Sequence, residues 1–121
     1  MRVGAVIVPR NRAGRSTRIA SMKVMRRSVQ VSGELRDLIP RFLANRQLDL
    51  GQLGEAVARG DLEQARRIGH SLRGAGGGYG FDEITRLGAQ IEARAKAGGD
   101  GLPEVVRELA DYLGSVEVDF V

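Results

Sequence analysis

The chain contains a single histidine, His70, and the residues around it have the spacing of a two-faced helix. Stepping 100° per residue from Leu72 places a set of apolar or small residues within about 80° of it. The members of this stripe are Leu62, Ala65, Ile68, Gly69, Ala75, Gly76 and Tyr79. His70 lies about 160° from the centre of the stripe, so we predict that its imidazole is exposed to solvent. An exposed imidazole can act as a nucleophile.

The residues that share the polar face with His70 suit the handling of a phosphate group. Arg73 follows one turn later, where a guanidinium can neutralise a phosphate carried by the histidine. Glycines on this face remove side chains from beside the imidazole and let another protein approach it. We predict that a partner docks on a surface formed by Arg66, Arg67, Gly74 and Gly77.

Other kinds of site fit the sequence less well. The stretch GAGGGYG superficially resembles a phosphate-binding loop, but it lacks the preceding strand and the Lys followed by Ser or Thr that such a loop requires. A dinucleotide-binding fingerprint needs the same preceding strand. One His and no Cys predict no metal site and no intrinsic cofactor. Ser71 points about 100° away from its neighbour His70, so the two do not form a nucleophile and its base.

Apolar residues at three and four residue spacing predict helices from Glu34 onward, and no strand. The first predicted helix ends near Asn45, with Pro40 in its first turn or at a bend. The second runs from Leu50 to Gly60, where a glycine suits a C-terminal cap. These two segments predict one helix more than a four-helix bundle needs.

The helix that carries the histidine begins at Asp61, a good N-cap with Gln64 three residues later as in a capping box, and runs towards Tyr79. Because interior glycines cost about 0.5 to 1 kcal/mol each, an earlier end at Gly76 in a flexible loop is the alternative. Two further helices follow, one ending at the glycine pair 98–99 and one opening at Pro103. Short connections between such helices favour antiparallel packing.

Charge divides the 121 residues into two parts. The first 31 residues contain eight Lys or Arg and no acid, whereas the rest contain eleven bases and fifteen acids. We predict that residues 1–31 form a basic arm, extended or poorly ordered, and that residues 32–121 form the helical domain. Met22 or Met25 is an alternative start, with the preceding Arg-rich stretch an artefact of upstream translation. No signal peptide or membrane span is predicted, and the absence of cysteine fits a cytoplasmic protein.

The segment HSLRGAGGGYGF, from His70 to Phe81, resembles the signature of the histidine-phosphotransfer (HPt) family. It is particularly similar to the phosphorylation-site domain of chemotaxis histidine kinases. The spacing of Leu87, Gly88, Ile91 and Glu92, and the pattern from Ala56 to Asp61, are also similar to the family. One departure is Arg73, where the family usually has Lys. The planar guanidinium of arginine therefore replaces the compact ammonium group of lysine.

The resemblance implies an all-α fold, an antiparallel four-helix bundle, here with an additional N-terminal helix and the basic arm. It also implies that His70 is phosphorylated on Nε2 and that Arg73 offsets the phosphate charge. The expected partners are a response-regulator receiver domain, which supplies the phosphorylated aspartate and Mg²⁺, and a sensor histidine kinase. We expect a monomeric phosphoryl carrier in a phosphorelay, with no ATP-binding kinase site in this chain.

Two other functions remain open on the sequence alone. The basic arm could bind nucleic acid, although it has no aromatic residue for base stacking and the domain that follows it is acidic. A pseudo-HPt adaptor that binds a receiver without carrying phosphate is the other possibility. No membrane interaction is expected.

Overall fold

The computed structural model describes residues 6–7 and 28–121, and its main feature is a ring of four helices. After a short 3-10 turn at Gly33–Leu35, the helices are α1 (Ile39–Ala58), α2 (Leu62–Gly77), α3 (Asp82–Lys96) and α4 (Leu102–Ser115). Each helix packs against the next one in sequence, α4 closes the ring on α1, and α2 and α3 share the largest contact. The core is formed by buried side chains such as Leu43, Leu53, Leu72, Leu87, Ile91, Leu109 and Leu113.

The turn between α1 and α2 shows how the sequence ends one helix and starts the next. Gly60 has a φ of +71°, and its N–H donates to the carbonyl of Val57 while the N–H of Asp61 donates to that of Ala56. These two bonds form a Schellman motif, which needs a residue that accepts positive φ. The Asp61 carboxylate then accepts from the N–H of Gln64 at 3.1 Å, which confirms the predicted N-cap.

The segments predicted as separate first and second helices are joined in one continuous helix that begins at Ile39, so the prediction of two helices between residues 34 and 60 is wrong. Residues 6–7 and 28–121 contain no α-helix besides the four. No glycine of positive φ and no proline interrupts α1 after Pro40, which lies in its first turn. Arg46 and Asp49 form an ion pair of 2.9 Å across the predicted break. The apolar stripe is interrupted there because the inward side of the helix is occupied by Arg46, whose side chain is 14% exposed and lies over the Phe42 ring, whereas Leu48 points outward and is 65% exposed.

Helix α2 ends at Gly77, two residues before the predicted end, and passes through Gly76 rather than stopping there. Tyr79 follows the helix and packs against Phe42 with ring centroids 4.6 Å apart. Pro103 lies in the first turn of α4, as predicted. No helix in residues 6–7 and 28–121 is long and apolar enough to cross a membrane.

The prediction of a fold without strands is also wrong, because a small parallel sheet lies beside the bundle. Its strands are β1 (Val6–Ile7), β2 (Ser28–Val31) and β3 (Glu117–Phe120), with β3 in the centre. β2 pairs with β3 from Ser28 opposite Glu117 to Val31 opposite Phe120. Burial of Val31, Val116 and Val118 against the bundle explains why these short segments become strands.

Part of the predicted basic arm belongs to the sheet. Its last four residues, Ser28–Val31, belong to β2, and residues 6–7 pair with β3. The prediction for residues 1–5 and 8–27 lies outside the described residues. The boundary between residues 31 and 32 remains a prediction.

Candidate functional site

The side chain of His70 projects from the middle of α2 into solvent. It is 61% exposed, whereas Leu72 and Ile68 on the opposite face of the helix are buried. The exposure predicted from helical geometry is therefore confirmed. The ring is accessible to a partner molecule, and a single side chain from another helix fixes its orientation.

That side chain is Glu92 of α3, whose Oε2 lies 3.1 Å from Nδ1 of His70. The Glu92 side chain is only 8% exposed. It reaches the imidazole because α2 and α3 approach each other closely at two glycines. A Cβ atom on Gly69 would lie 2.7 Å from the backbone nitrogen of Glu92, and one on Gly88 would lie 2.8 Å from the carbonyl oxygen of Gly69. The absence of side chains at this crossing thus sets the His70–Glu92 contact.

Three positively charged or protonatable groups surround the Glu92 carboxylate. Besides His70 on Oε2, the Arg73 Nη1 lies 3.3 Å from Oε1 and the Lys96 Nζ lies 3.8 Å from Oε2. Burial by itself raises the pKa of Glu92. The hydrogen bond from His70 and the charges of Arg73, His70 and Lys96 outweigh burial, so the pKa of Glu92 lies below its ordinary value of 4.5. Glu92 is therefore ionised at neutral pH.

An ionised carboxylate can only accept hydrogen bonds, and this determines the tautomer of the imidazole. The Nδ1 of His70 must carry the hydrogen that it donates to Glu92, which leaves the lone pair on Nε2. Arg73 Nη2 lies 3.4 Å from Nδ1. Because a nitrogen that already donates cannot accept from the guanidinium, this approach is a packing contact. Within residues 28–121 no side chain hydrogen-bonds Nε2. The site therefore presents a nucleophilic nitrogen to solvent.

All of the predicted site residues lie on α2. Arg73 lies beside His70, as predicted. Arg66 and Arg67 lie one turn earlier on α2 and both pair with Glu63, at 2.6 and 3.5 Å. The glycines of the predicted docking surface, Gly74 and Gly77, are exposed, and a Cβ at either position would meet nothing within 4 Å.

Sequence reasoning gave no role to Glu92 or Lys96. The sequence contained a sign that Glu92 has a partner. Glu92 lies on the apolar stripe of α3, four residues after Gly88 and one residue after Ile91. A charged side chain at such a buried position needs a partner. The identity of that partner depends on the register between α2 and α3, which the spacing within one helix does not contain. No group of three or more potential metal ligands occurs in the described part of the chain.

Comparison with known proteins identifies one family. The family model of the Hpt domain matches residues 37–118, about two-thirds of the chain. A search of curated proteins and a search of solved structures found no significant match. The match covers all four helices and includes both His70 and Glu92. The chain therefore belongs to the Hpt domain family, whose members carry out histidine phosphotransfer in phosphorelays.

Proposed function

We propose that His70 accepts a phosphoryl group on Nε2 from a receiver-domain aspartate or a histidine kinase and passes it to a response-regulator receiver. The observation that supports this most strongly is the pairing of an exposed imidazole with an ionised, nearly buried Glu92 at 3.1 Å. That pairing leaves the lone pair on the nitrogen that faces solvent. Membership of the Hpt domain family supports the same reaction class.

In the accepting step, the Nε2 lone pair attacks the phosphorus of an aspartyl phosphate. The new P–N bond forms as the acyl P–O bond breaks, and the electron pair of that bond remains on the aspartate as a carboxylate. No proton has to leave, because the Nδ1–H bond persists and the ring becomes a phosphorylated imidazolium. Glu92 stabilises this developing positive charge, as a carboxylate does beside the histidine of a catalytic triad.

The surrounding residues have separate roles in this proposal. Arg73 offsets the charge of the phosphoryl group, since its guanidinium already lies 3.4 Å from the imidazole. Arg66, Arg67, Gly74 and Gly77 form the docking surface, where the open space at the two glycines accommodates the receiver. The Mg²⁺ ion belongs to the receiver. We further propose that the protein acts as a monomer in the cytoplasm.

The decisive experiment is incubation with a phosphorylated receiver domain, followed by measurement of acid-labile label on this chain. We expect label on the wild-type protein and none on His70→Gln, with the circular dichroism of both proteins unchanged because the side chain lies outside the core. Binding of the receiver without label would instead establish a pseudo-HPt adaptor. Label on His70→Gln would show that another residue is phosphorylated.

A further inference from the structure

The two cations on Glu92 differ in what else they can reach. Arg73 contacts Oε1 of Glu92 at 3.3 Å and also lies 3.4 Å from the imidazole of His70. Lys96 contacts only the carboxylate in the described structure, 3.8 Å from Oε2, which is the oxygen that accepts from Nδ1. Arg73 thus lies close to both Glu92 and His70, whereas Lys96 lies close to Glu92 alone.

Phosphorylation of His70 would change the balance between these contacts. A phosphoryl group brings about 1.5 to 2 negative charges and three acceptor oxygens. A guanidinium binds such a group bidentately and more strongly than it binds a single carboxylate oxygen. Arg73 is 47% exposed and free to turn towards the phosphate. Glu92 would then lose its partner on Oε1 at the moment when a second anion appears beside it.

Lys96 is placed to compensate for this loss. It follows Glu92 by one turn of α3, in the order Glu then Lys at i and i+4 that favours pairing. We propose that Lys96 is a positioning residue that remains the counter-ion of Glu92 while His70 is phosphorylated, and so keeps this carboxylate ionised for the Nδ1–H. This inference rests on the proposed function, because it concerns the phosphorylated state of the same site.

An ionised Glu92 matters for the release of the phosphoryl group. When the P–Nε2 bond breaks, its electron pair returns to Nε2, and the leaving group is a neutral imidazole only if Nδ1 carries a proton. The acceptor, water or an aspartate, takes the phosphoryl group. A carboxylate on Nδ1 holds that proton in place. The charged groups that act on Glu92 are Arg73 and the imidazole from α2 and Lys96 from α3. Arg66 of α2 also attracts Glu92 electrostatically, although its hydrogen bonds go to Glu63.

The test uses phosphoramidate to phosphorylate His70 directly, so that no partner is needed. Loss of phosphohistidine is then followed by ³¹P NMR in the wild type, Lys96→Met and Lys96→Arg. Arg107→Gln serves as the matched control, because it removes one exposed positive charge from α4. At about pH 6 we expect the rate of phosphohistidine loss in Lys96→Met to be lower than in the wild type by a factor of about three or more. At about pH 8 the two rates should be nearly equal. Lys96→Arg and Arg107→Gln should follow the wild type at both values.

A second measurement needs no phosphate. Replacing Arg73 by Gln imitates the departure of the guanidinium, and the carboxyl ¹³C shift of Glu92 reports its ionisation. We expect Lys96→Met to raise the pKa of Glu92 more in the Arg73→Gln background than in the wild type. Equal effects in the two backgrounds, or a Lys96→Met protein that loses phosphate like Arg107→Gln, would overturn the inference. Absence of any phosphohistidine in the wild type would instead refute the proposed function, while the carboxyl titration would still decide the role of Lys96.

Discussion

Gly69 of α2 lies so close to Glu92 of α3 that a methyl group on the glycine would come within 2.7 Å of the Glu92 backbone nitrogen. The same methyl group would lie 2.9 Å from Cγ2 of Ile91 and 3.0 Å from the carbonyl oxygen of Gly88. Two of these three atoms belong to backbone and cannot turn away. The close crossing of the two helices therefore depends on glycine at this position.

Replacing Gly69 by Ala should lower the free energy of unfolding by about 2 to 3 kcal/mol, because the helices must separate to admit the methyl group. Gly74→Ala is the matched control in the same helix, where a Cβ meets nothing within 4 Å. It should raise the free energy of unfolding by about 0.5 to 1 kcal/mol, since alanine favours helix more than glycine. Urea denaturation measures both. Equal stability of Gly69→Ala and the wild type would contradict this close packing of α2 and α3.

Replacing Glu92 by Gln should slow phosphoryl acceptance by about 10- to 100-fold, because the neutral amide no longer stabilises a positive imidazole. The rate of labelling from a phosphorylated receiver measures this effect. Glu55→Gln, which removes one exposed carboxylate from α1, is the control and should label at the wild-type rate. A Glu92→Gln protein that labels as fast as this control would remove Glu92 from the mechanism.

The Glu92 carboxylate should also contribute to the pH dependence of the protein's stability. Burial opposes ionisation of Glu92, but the His70 hydrogen bond and the nearby cations prevail, and the pKa of Glu92 in the folded protein lies below 4.5. The unfolded chain thus binds this proton more readily, so the stabilisation is complete above about pH 4.5 and is lost as the pH falls. Thermal melts of the wild type and Glu92→Gln should differ at pH 7 and converge in acid. A difference in melting temperature that grows below pH 4 would contradict the prediction that the ionised form of Glu92 stabilises the fold.

Replacing Gly74 by Leu should weaken receiver binding about tenfold or more without loss of stability, since the side chain fills open space beside His70. The matched control is Gly114→Leu, an equally open position on α4, which does not neighbour α2 in the ring. Calorimetric titration with the receiver that accepts phosphate from His70 measures the affinity. An affinity for Gly74→Leu within about twofold of the wild type would show that the glycine makes no room for a partner.

Two truncations should separate the contributions of the N-terminal strands. Removing residues 1–27 leaves β2 in place, and the melting temperature should change little. Removing residues 1–31 also deletes the buried Val31 and the whole β2–β3 pairing. This second truncation should lower the melting temperature by more than about 5 °C relative to the first, equivalent to roughly 1 kcal/mol or more. Equal melting temperatures for the two truncated proteins would mean that β2 contributes nothing to stability.

The parts of the structure that could be predicted from sequence are those that depend on local spacing. The N-cap Asp61, Pro103 in the first turn of α4 and the exposure of His70 all follow from residues within one or two helical turns. The sheet could not be predicted, because SVQV and EVDF are too short to show a pattern and become strands only by pairing with each other, although all four helices separate them in sequence.

In the candidate site, too, contacts within one helix could be predicted from the sequence, whereas the contact between two helices could not. His70 and Arg73 are three residues apart on one helix, so their proximity follows from helical geometry alone. Glu92 is 22 residues from His70, and its contact depends on how deeply Gly69 and Gly88 let the helices approach. The break predicted in α1 is wrong for a related reason, because the spacing does not show that Arg46 packs over Phe42 and pairs with Asp49 within a continuous helix.

The position of β3 has a consequence for the order in which the fold assembles. Its partner β2 precedes all four helices, and β3 follows them, so their pairing must close a loop that contains the entire bundle. Closing so long a loop costs more conformational entropy than joining two helices through a short turn. The α2–α3 hairpin, whose helices are joined by a short turn, can therefore form before this pairing. The imidazole and its carboxylate partner can meet before the sheet exists.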